Sequence, residues 1–239
     1  PEQPLYKMFG VNAELLIDHA WGYESCTIKD VKAYKPQDKS IGSGQVLHEP
    51  YTYDRARLVV KEMIDLLALD LVDKNLVTDQ IVLTVGYDIK NLTKESYRGE
   101  IGTDRYGRKL PKHGHGTANL KFPTSSTKLI TEAVLKLYDR IIDSSLLIRR
   151  INISANHLVD SKSVENKEFH EQLDIFSYSD INKEKIEKEK VKLEEEQQLQ
   201  KAIIKIKKRF GKNSVLKGMD LEEDATTIDR NKQIGGHKA

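Results

Sequence analysis

Gln80-Ile81-Val82-Leu83-Thr84-Val85-Gly86-Tyr87 and Leu146-Leu147-Ile148-Arg149-Arg150-Ile151-Asn152-Ile153-Ser154-Ala155-Asn156-His157 decide the fold. Both segments carry the β-branched residues that suit a pleated, half-buried strand. Working outward, Ile41 to Leu47 reads as a short Gly/Ser-rich strand and Gly114 to Phe122 as another. Asp54 to Val72 predicts an amphipathic helix, with Asp54 at a capping position and Leu58, Met63, Leu66, Leu67, Leu69 and Leu71 apolar. Thr124 to Ile142 predicts a second, since Leu129, Ile130, Val134, Leu135, Leu137 and Ile141 recur at helical spacing. Ile89 to Lys112 is polar and rich in Gly, Arg and Lys, so it reads as a loop. The order is β-α-β-β-α-β. The expected fold is α+β: a four-stranded antiparallel sheet with two helices on one face and the other face open.

The flanks differ in character. Residues 5–22 read as a short helical piece ending at Gly22, and 23–38 as an irregular linker marked by Pro36. Residues 39–158 hold the sheet-forming domain, 159–180 a polar connecting segment and 181–239 a charged helical tail. Between Lys183 and Arg209 the tail has ten basic and six acidic residues, with an interrupted apolar stripe of Ile186, Val191, Leu193, Leu199, Ile203, Ile204 and Ile206. That pattern fits a solvated helix held by i,i+4 ion pairs, or a helix that docks on an accessory partner.

Composition narrows the class. A charged fraction of 32% against 38% apolar residues describes a soluble chain with modest cores. No apolar run has the length of a membrane helix, and no signal peptide is visible. The single cysteine, Cys26, rules out an intramolecular disulfide and a four-cysteine zinc site; a reducing cytoplasm is the expected setting. Net charge is only +2, but residues 39–157 hold 18 Lys and Arg against 14 Asp and Glu, an excess of +4. The chain opens Pro-Glu-Gln-Pro without Met, as a fragment of a longer protein would.

The open face of the sheet is the expected site. Its segments carry Lys39, Ser40, Ser43, Gln45, Thr84, His113, His115, Thr117, Arg149, Arg150, Asn152 and Ser154. Hydroxyls and amides position a phosphate backbone and arginines neutralise it. Glycines at 42, 44, 86, 114 and 116 would let a ligand backbone come close. The same residues also fit the plain solvated face of a half-buried sheet. His113 and His115 share a strand face and lack a third ligand, so phosphate contact or bare surface is favoured over a metal pair. Glu194-Glu195-Glu196 and Glu222-Glu223-Asp224 read as solvent-facing carboxylates, and no metal site or catalytic residue is assigned.

Gln172-Leu173-Asp174-Ile175-Phe176 follows a polar run and joins a polar hook to an aliphatic and an aromatic side chain. Exposed apolar side chains on an extended segment commonly enter a partner's pocket; folding back onto the neighbouring domain is the other possibility. The pentapeptide resembles the motif by which bacterial replication and repair proteins dock on the sliding clamp.

Several motifs in sequence order resemble one family. Lys39-Ser40-Ile41-Gly42 resembles the start of the little-finger domain of Y-family translesion DNA polymerases, and Leu147 to Ser154 resembles its last strand with paired arginines. Phe9-Gly10 with Leu15, Ala20 and Gly22 looks like the end of the family's thumb, with Ala13 where the family often has Gly. The clamp-like pentapeptide lies where bacterial members of the UmuC/DinB kind carry theirs. Arg209-Phe210-Gly211-Lys212 through Ile234-Gly235-Gly236-His237 looks like the end of such polymerases from Gram-positive bacteria. The resemblance implies duplex primer-template DNA and the sliding clamp as partners in translesion synthesis, DNA repair and the SOS response. It also implies Mg²⁺ for the parent polymerase, held by palm carboxylates that would precede residue 1. The chain is expected to bind DNA and clamp without polymerising. A free-standing nucleic-acid adaptor on an open α/β sheet is the alternative. RNA-recognition sheets display central aromatics, whereas Tyr87 and Phe122 sit near strand ends here, which favours duplex backbone contact.

Overall fold

The computed structural model describes residues 2–24, 26–34, 40–93, 97–104, 107–165, 180–234 and 237–238. The chain divides into two compact units, Pro1–Asp38 and Lys39–Ala239.

The first unit is helical: α1 (Gln3–Phe9), a 3₁₀ turn (Gly10–Asn12), α2 (Ala13–Ala20) and α3 (Ile28–Ala33). Ala13 is its one buried apolar residue among those described, while Val11, Leu15, Leu16 and Trp21 stay exposed. So few residues cannot bury much apolar surface. The stretch read as irregular contains α3, which opens on a capping box. The Thr27 hydroxyl accepts from the Asp30 amide at 3.3 Å, and the Asp30 carboxylate accepts from the Thr27 amide at 3.0 Å. The Thr-x-x-Asp spacing was the signal for it.

The second unit holds β1 (Ile41–Tyr51), α4 (Tyr53–Asp73), β2 (Leu76–Tyr87), the hairpin β3 (Ile101–Thr103) with β4 (Lys109–Pro111), β5 (Gly114–Thr124), α5 (Thr127–Ile141) and β6 (Ile148–Asn156). The main sheet runs β1-β6-β2-β5, with a short β7 (Val159–Asp160) pairing the start of β2. All its pairings are antiparallel. Hence β1 and β2 run parallel with β6 between them, and α4 is their crossover. Likewise β5 and β6 flank β2, and α5 joins them. Mixed helix and antiparallel sheet is the class the strand and helix periodicities predict. The supposed loop 89–112 differs: it contains a 3₁₀ turn (Ile89–Thr93) and the β3-β4 hairpin. Buried Asn91 anchors it, donating to the Asp88 and Leu147 carbonyls at 2.9 and 2.8 Å and accepting from the Leu147 amide at 2.9 Å.

Alternation puts Ile81, Leu83, Val85, Ile151, Ile153 and Ala155 under the helices, where they meet Val59, Met63, Leu67 and Leu71 of α4 and Ile130, Val134 and Tyr138 of α5. Each fully buried side chain of this size contributes about 1.5–3 kcal/mol. At the helix ends, Asp139 of α5 accepts from Arg57 Nε at 2.8 Å and from the Tyr53 hydroxyl at 2.6 Å.

The rest of the unit comprises α6 (Ser161–Glu165), α7 (Asp180–Phe210), α8 (Thr227–Asn231) and the hairpin β8 (Gln233–Ile234) with β9 (His237–Lys238). The tail is not a free charged helix. It packs on α4 and α5 through a row at i,i+4 spacing. Glu196 accepts from the Ser126 hydroxyl at 2.6 Å and the Lys128 amide at 3.1 Å, capping α5 with a negative charge. Buried Gln200 donates to the Ser125 carbonyl and the Thr127 hydroxyl, each at 3.0 Å. Lys208 pairs with Asp73. Glu196 is therefore a helix cap, not the solvent-facing carboxylate its sequence context suggests. Val191, Leu199 and Ile206, read as part of an apolar stripe, remain exposed. Farther on, buried Glu62 of α4 accepts from the Thr226 hydroxyl and amide and the Thr227 amide, at 2.9 Å each for its nearer oxygens.

Candidate nucleic-acid interface

Strand register sorts the predicted residues by face. Positions opposite one another across neighbouring strands project to the same side. Four cross-strand rows lie on the side away from the helices. They are Asn156–Gln80–Asn119; Gly42–Ser154–Val82–Thr117; Gly44–Asn152–Thr84–His115; and Val46–Arg150–Gly86. None of these positions carries a carboxylate. The surface is polar, neutral to cationic, and lined with small residues at the β1 edge.

Its polar groups are already ordered. Ser154 Oγ lies 3.0 Å from Asn156 Oδ1, Asn156 donates to Gln80 Oε1 at 3.3 Å, and Gln80 donates to Asn119 Oδ1 at 3.2 Å. That chain crosses three strands. Thr84 and His115 hydrogen-bond across the β2-β5 pair, 2.8 Å between Oγ1 and Nδ1. A Cβ on Gly44 would sit 2.5 Å from Asn152 Oδ1, so a larger residue there would turn that exposed amide aside.

Gly42, His115, Thr117, Arg150, Asn152, Ser154 and Thr84 thus share one face, and His113 precedes β5 with its ring centroid 6.2 Å from that of His115. Ser40 is exposed just before β1. Lys39 and the pentapeptide Gln172, Leu173, Asp174, Ile175 and Phe176 lie outside the described residues.

Three expectations need correction. Ser43 and Gln45 pair with Ile153 and Ile151, so they lie on the helix side of β1. There Arg230 of α8 donates to Ser43 Oγ at 2.5 Å and Gln45 Oε1 at 3.2 Å. Gly114 and Gly116 also lie on the helix side: a Cβ there would meet Ile142 Cδ1 at 2.7 Å and Leu137 Cδ1 at 2.8 Å. These two glycines let α5 pack closely on β5 and have no bearing on ligand approach. Finally, the two arginines are unequal. Between the pairs Gly86↔Arg150 and Tyr87↔Ile148, β6 has one extra residue, so Arg149 sits in a bulge. Its Nε lies 3.9 Å from Asp88, whereas Arg150 is exposed on the open face.

Gln80, Asn119 and Asn156 belong to the face and escaped the sequence reading. The signal was their parity with Val82, Thr117 and Ser154, legible only once strand register is known. Among the described residues no group of three or more His, Cys, Asp or Glu is placed to hold a metal ion. No helix of the described residues is long and apolar enough to cross a membrane.

No curated protein sequence matches the chain. Solved structures that it resembles include the post-insertion binary complex of Dbh DNA polymerase, at 14% identity and a TM-score of 0.30, and the insertion ternary complex of the same polymerase, at 14% and 0.31. A Y-family DNA polymerase chimera of Dbh and Dpo4 matches at 15% and 0.28. Each match covers 66% of this chain and 39% of the other. The chain thus spans about two fifths of the length of those structures. The family model described as the impB/mucB/samB family C-terminal domain matches residues 38–174, which is 137 of 239 residues and includes the whole open-faced sheet. With more than half of its length matched, this chain belongs to the impB/mucB/samB family and carries that family's C-terminal domain.

Proposed function

We propose that this chain is the DNA-binding and clamp-docking C-terminal region of a Y-family DNA polymerase of the UmuC/DinB kind, acting in translesion synthesis in the bacterial cytoplasm. The observation that carries the reading is the acid-free open face. Its four cross-strand rows present hydroxyls, amides, imidazole and one free guanidinium without a single carboxylate. Such groups contact sugar and phosphate and leave base edges unread. The family's C-terminal domain supports the assignment. Gln172, Leu173 and Phe176 are assigned to the sliding clamp on their sequence alone. Mg²⁺ is assigned to the polymerase as a whole, where it would stabilise the charge that develops in nucleotidyl transfer, and this chain by itself is expected to incorporate no nucleotide. Exposed Val191, Leu199 and Ile206 offer a surface for an accessory repair protein.

The test is fluorescence anisotropy with labelled primer-template duplexes of unrelated sequence and with single-stranded RNA. Duplex affinity should be sequence-tolerant and should fall steeply with salt, as counterion release requires. Preference for single-stranded RNA would instead support the free-standing adaptor.

A further inference from the structure

The C-terminal part of α7 and the turn after it carry charge that the open face does not use. Residues 201–217 include Lys201, Lys205, Lys207, Lys208, Arg209, Lys212 and Lys217, seven cations with no Asp or Glu among them. Cations in a last helical turn complement the helix dipole, and Lys217 pairs with Asp65 of α4 at 2.5 Å, but neither effect accounts for Lys212 beyond the helix end.

Packing brings part of this run beside β1, an edge strand of the main sheet. A cleft of about 620 Å³ is lined there by Lys207, Lys208, Lys212 and Arg230, with Gly42 and Leu67 among its other walls. Two carboxylates also line it, and both are engaged: Asp70 pairs with Lys74 at 2.7 Å, and Asp73 pairs with Lys208. Among the described residues no carboxylate pairs with Lys207, Lys212 or Arg230. Arg230 lines the cleft while donating to two neutral acceptors, Ser43 and Gln45; the buried Glu62 carboxylate attracts it electrostatically but forms no ion pair with it. A planar guanidinium fixed in this way is suited to a phosphate. Gly42 lines both this cleft and the shallow groove on the open face that contains Thr84, Asn152 and Ser154. The cationic cleft is therefore continuous with the open face around the β1 edge.

We propose that Lys207, Lys212 and Arg230 form a phosphate-binding ledge that carries the DNA-contacting surface past β1. The tail is then a second DNA contact, holding the sugar-phosphate backbone where the duplex leaves the sheet. The inference rests on the open face being the DNA interface.

The test uses the full chain and a labelled duplex long enough to pass β1. Charge reversal at Lys207→Glu with Lys212→Glu is compared with Lys190→Glu and Lys192→Glu, the same change in net charge farther up α7. Neutral Lys207→Gln with Lys212→Gln covers the case in which reversal disturbs folding. The ledge predicts about a tenfold loss of affinity and a log-log salt slope smaller by about two for both cleft variants, with little change for the control pair. An equal loss in the control, or wild-type binding by both cleft variants while Arg150→Ala weakens it, overturns the ledge and leaves the open face standing. Failure of the wild-type chain to bind duplex at all overturns the DNA reading itself.

Discussion

At the scale of single residues, the paired arginines separate into two roles. Arg150 projects from a regular position opposite Gly86, while Arg149 is the bulge residue drawn toward Asp88. A guanidinium with a carboxylate nearby contributes less to an external phosphate than one without. Arg150→Ala should therefore weaken every duplex alike and reduce the salt slope by about one, as loss of one phosphate contact requires. Arg149→Ala should do less. Titrating both variants against duplex across a salt series checks this, and a larger effect at Arg149 would contradict the face assignment. Sequence identifies these arginines as a pair because nothing local marks a bulge; register against β2 alone reveals it. Ser43 and Gln45 teach the same lesson. Polar type suggests the open face, but parity with Ile151 and Ile153 puts them under α8.

At the scale of elements, the strand and helix periodicities of residues 41–156 were legible because burial on one side enforces them. The tail was only partly legible: Ile204 of the apolar stripe lies against Leu66 and Leu67 of α4, but polar Glu196, Gln200 and Lys208 of the same row also hold α7, while apolar Leu199 and Ile206 are exposed. An apolar-stripe search misses the polar half of that packing. Glu62 ties α4 to the tail from a buried position, accepting from the Thr226 hydroxyl and amide and the Thr227 amide. Glu62→Ala would orphan the Thr226 and Thr227 amides, at about 1–3 kcal/mol for such groups. A lower urea midpoint and faster tryptic cleavage between 212 and 232 are expected; unchanged values for both would show that the tail is held by other contacts. Between α4 and α5, the Arg57 guanidinium and the Tyr53 hydroxyl beside Asp139 hold its carboxyl below the usual range against the opposing effect of burial. Burial, with the hydrogen bond to Asp139, pushes the Tyr53 hydroxyl up to about 12, so it remains a donor at neutral pH. A depressed folded-state pKa adds stability above the unfolded value of about 3.9 and loses it as pH falls through the folded value. Asp139→Asn should thus lower stability at pH 7, and the difference from wild type should shrink below about pH 4. A difference that stays constant across chemical denaturation at pH 7, 4 and 3 would contradict the coupling.

At the scale of the whole molecule, the chain joins a sheet assigned to DNA to a segment assigned to another partner. Leu173 and Phe176 would gain roughly 2–3 kcal/mol each on entering an apolar groove, offset by the cost of ordering the segment. The net is a contact on the order of micromolar, strengthened because clamp and sheet would hold one DNA molecule. Leu173→Ala with Phe176→Ala should abolish binding to purified clamp in surface plasmon resonance and leave duplex affinity unchanged. Loss of both together would make the segment part of the fold. The pentapeptide's role was read from residue types, whereas the acid-free character of the sheet emerged only when four strands were placed in register. The assignment of the sheet to DNA rests on that character, and Asn152→Asp probes it. The change is isosteric, sits in the row with Gly44, Thr84 and His115, and introduces a carboxylate where the face has none. Anisotropy with duplexes of unrelated sequence should show affinity reduced about tenfold for all of them, with an unchanged thermal unfolding midpoint, since one repelled phosphate contact costs on the order of 1 kcal/mol. Wild-type duplex affinity in a normally folded Asn152→Asp chain would contradict the assignment of the open face to DNA.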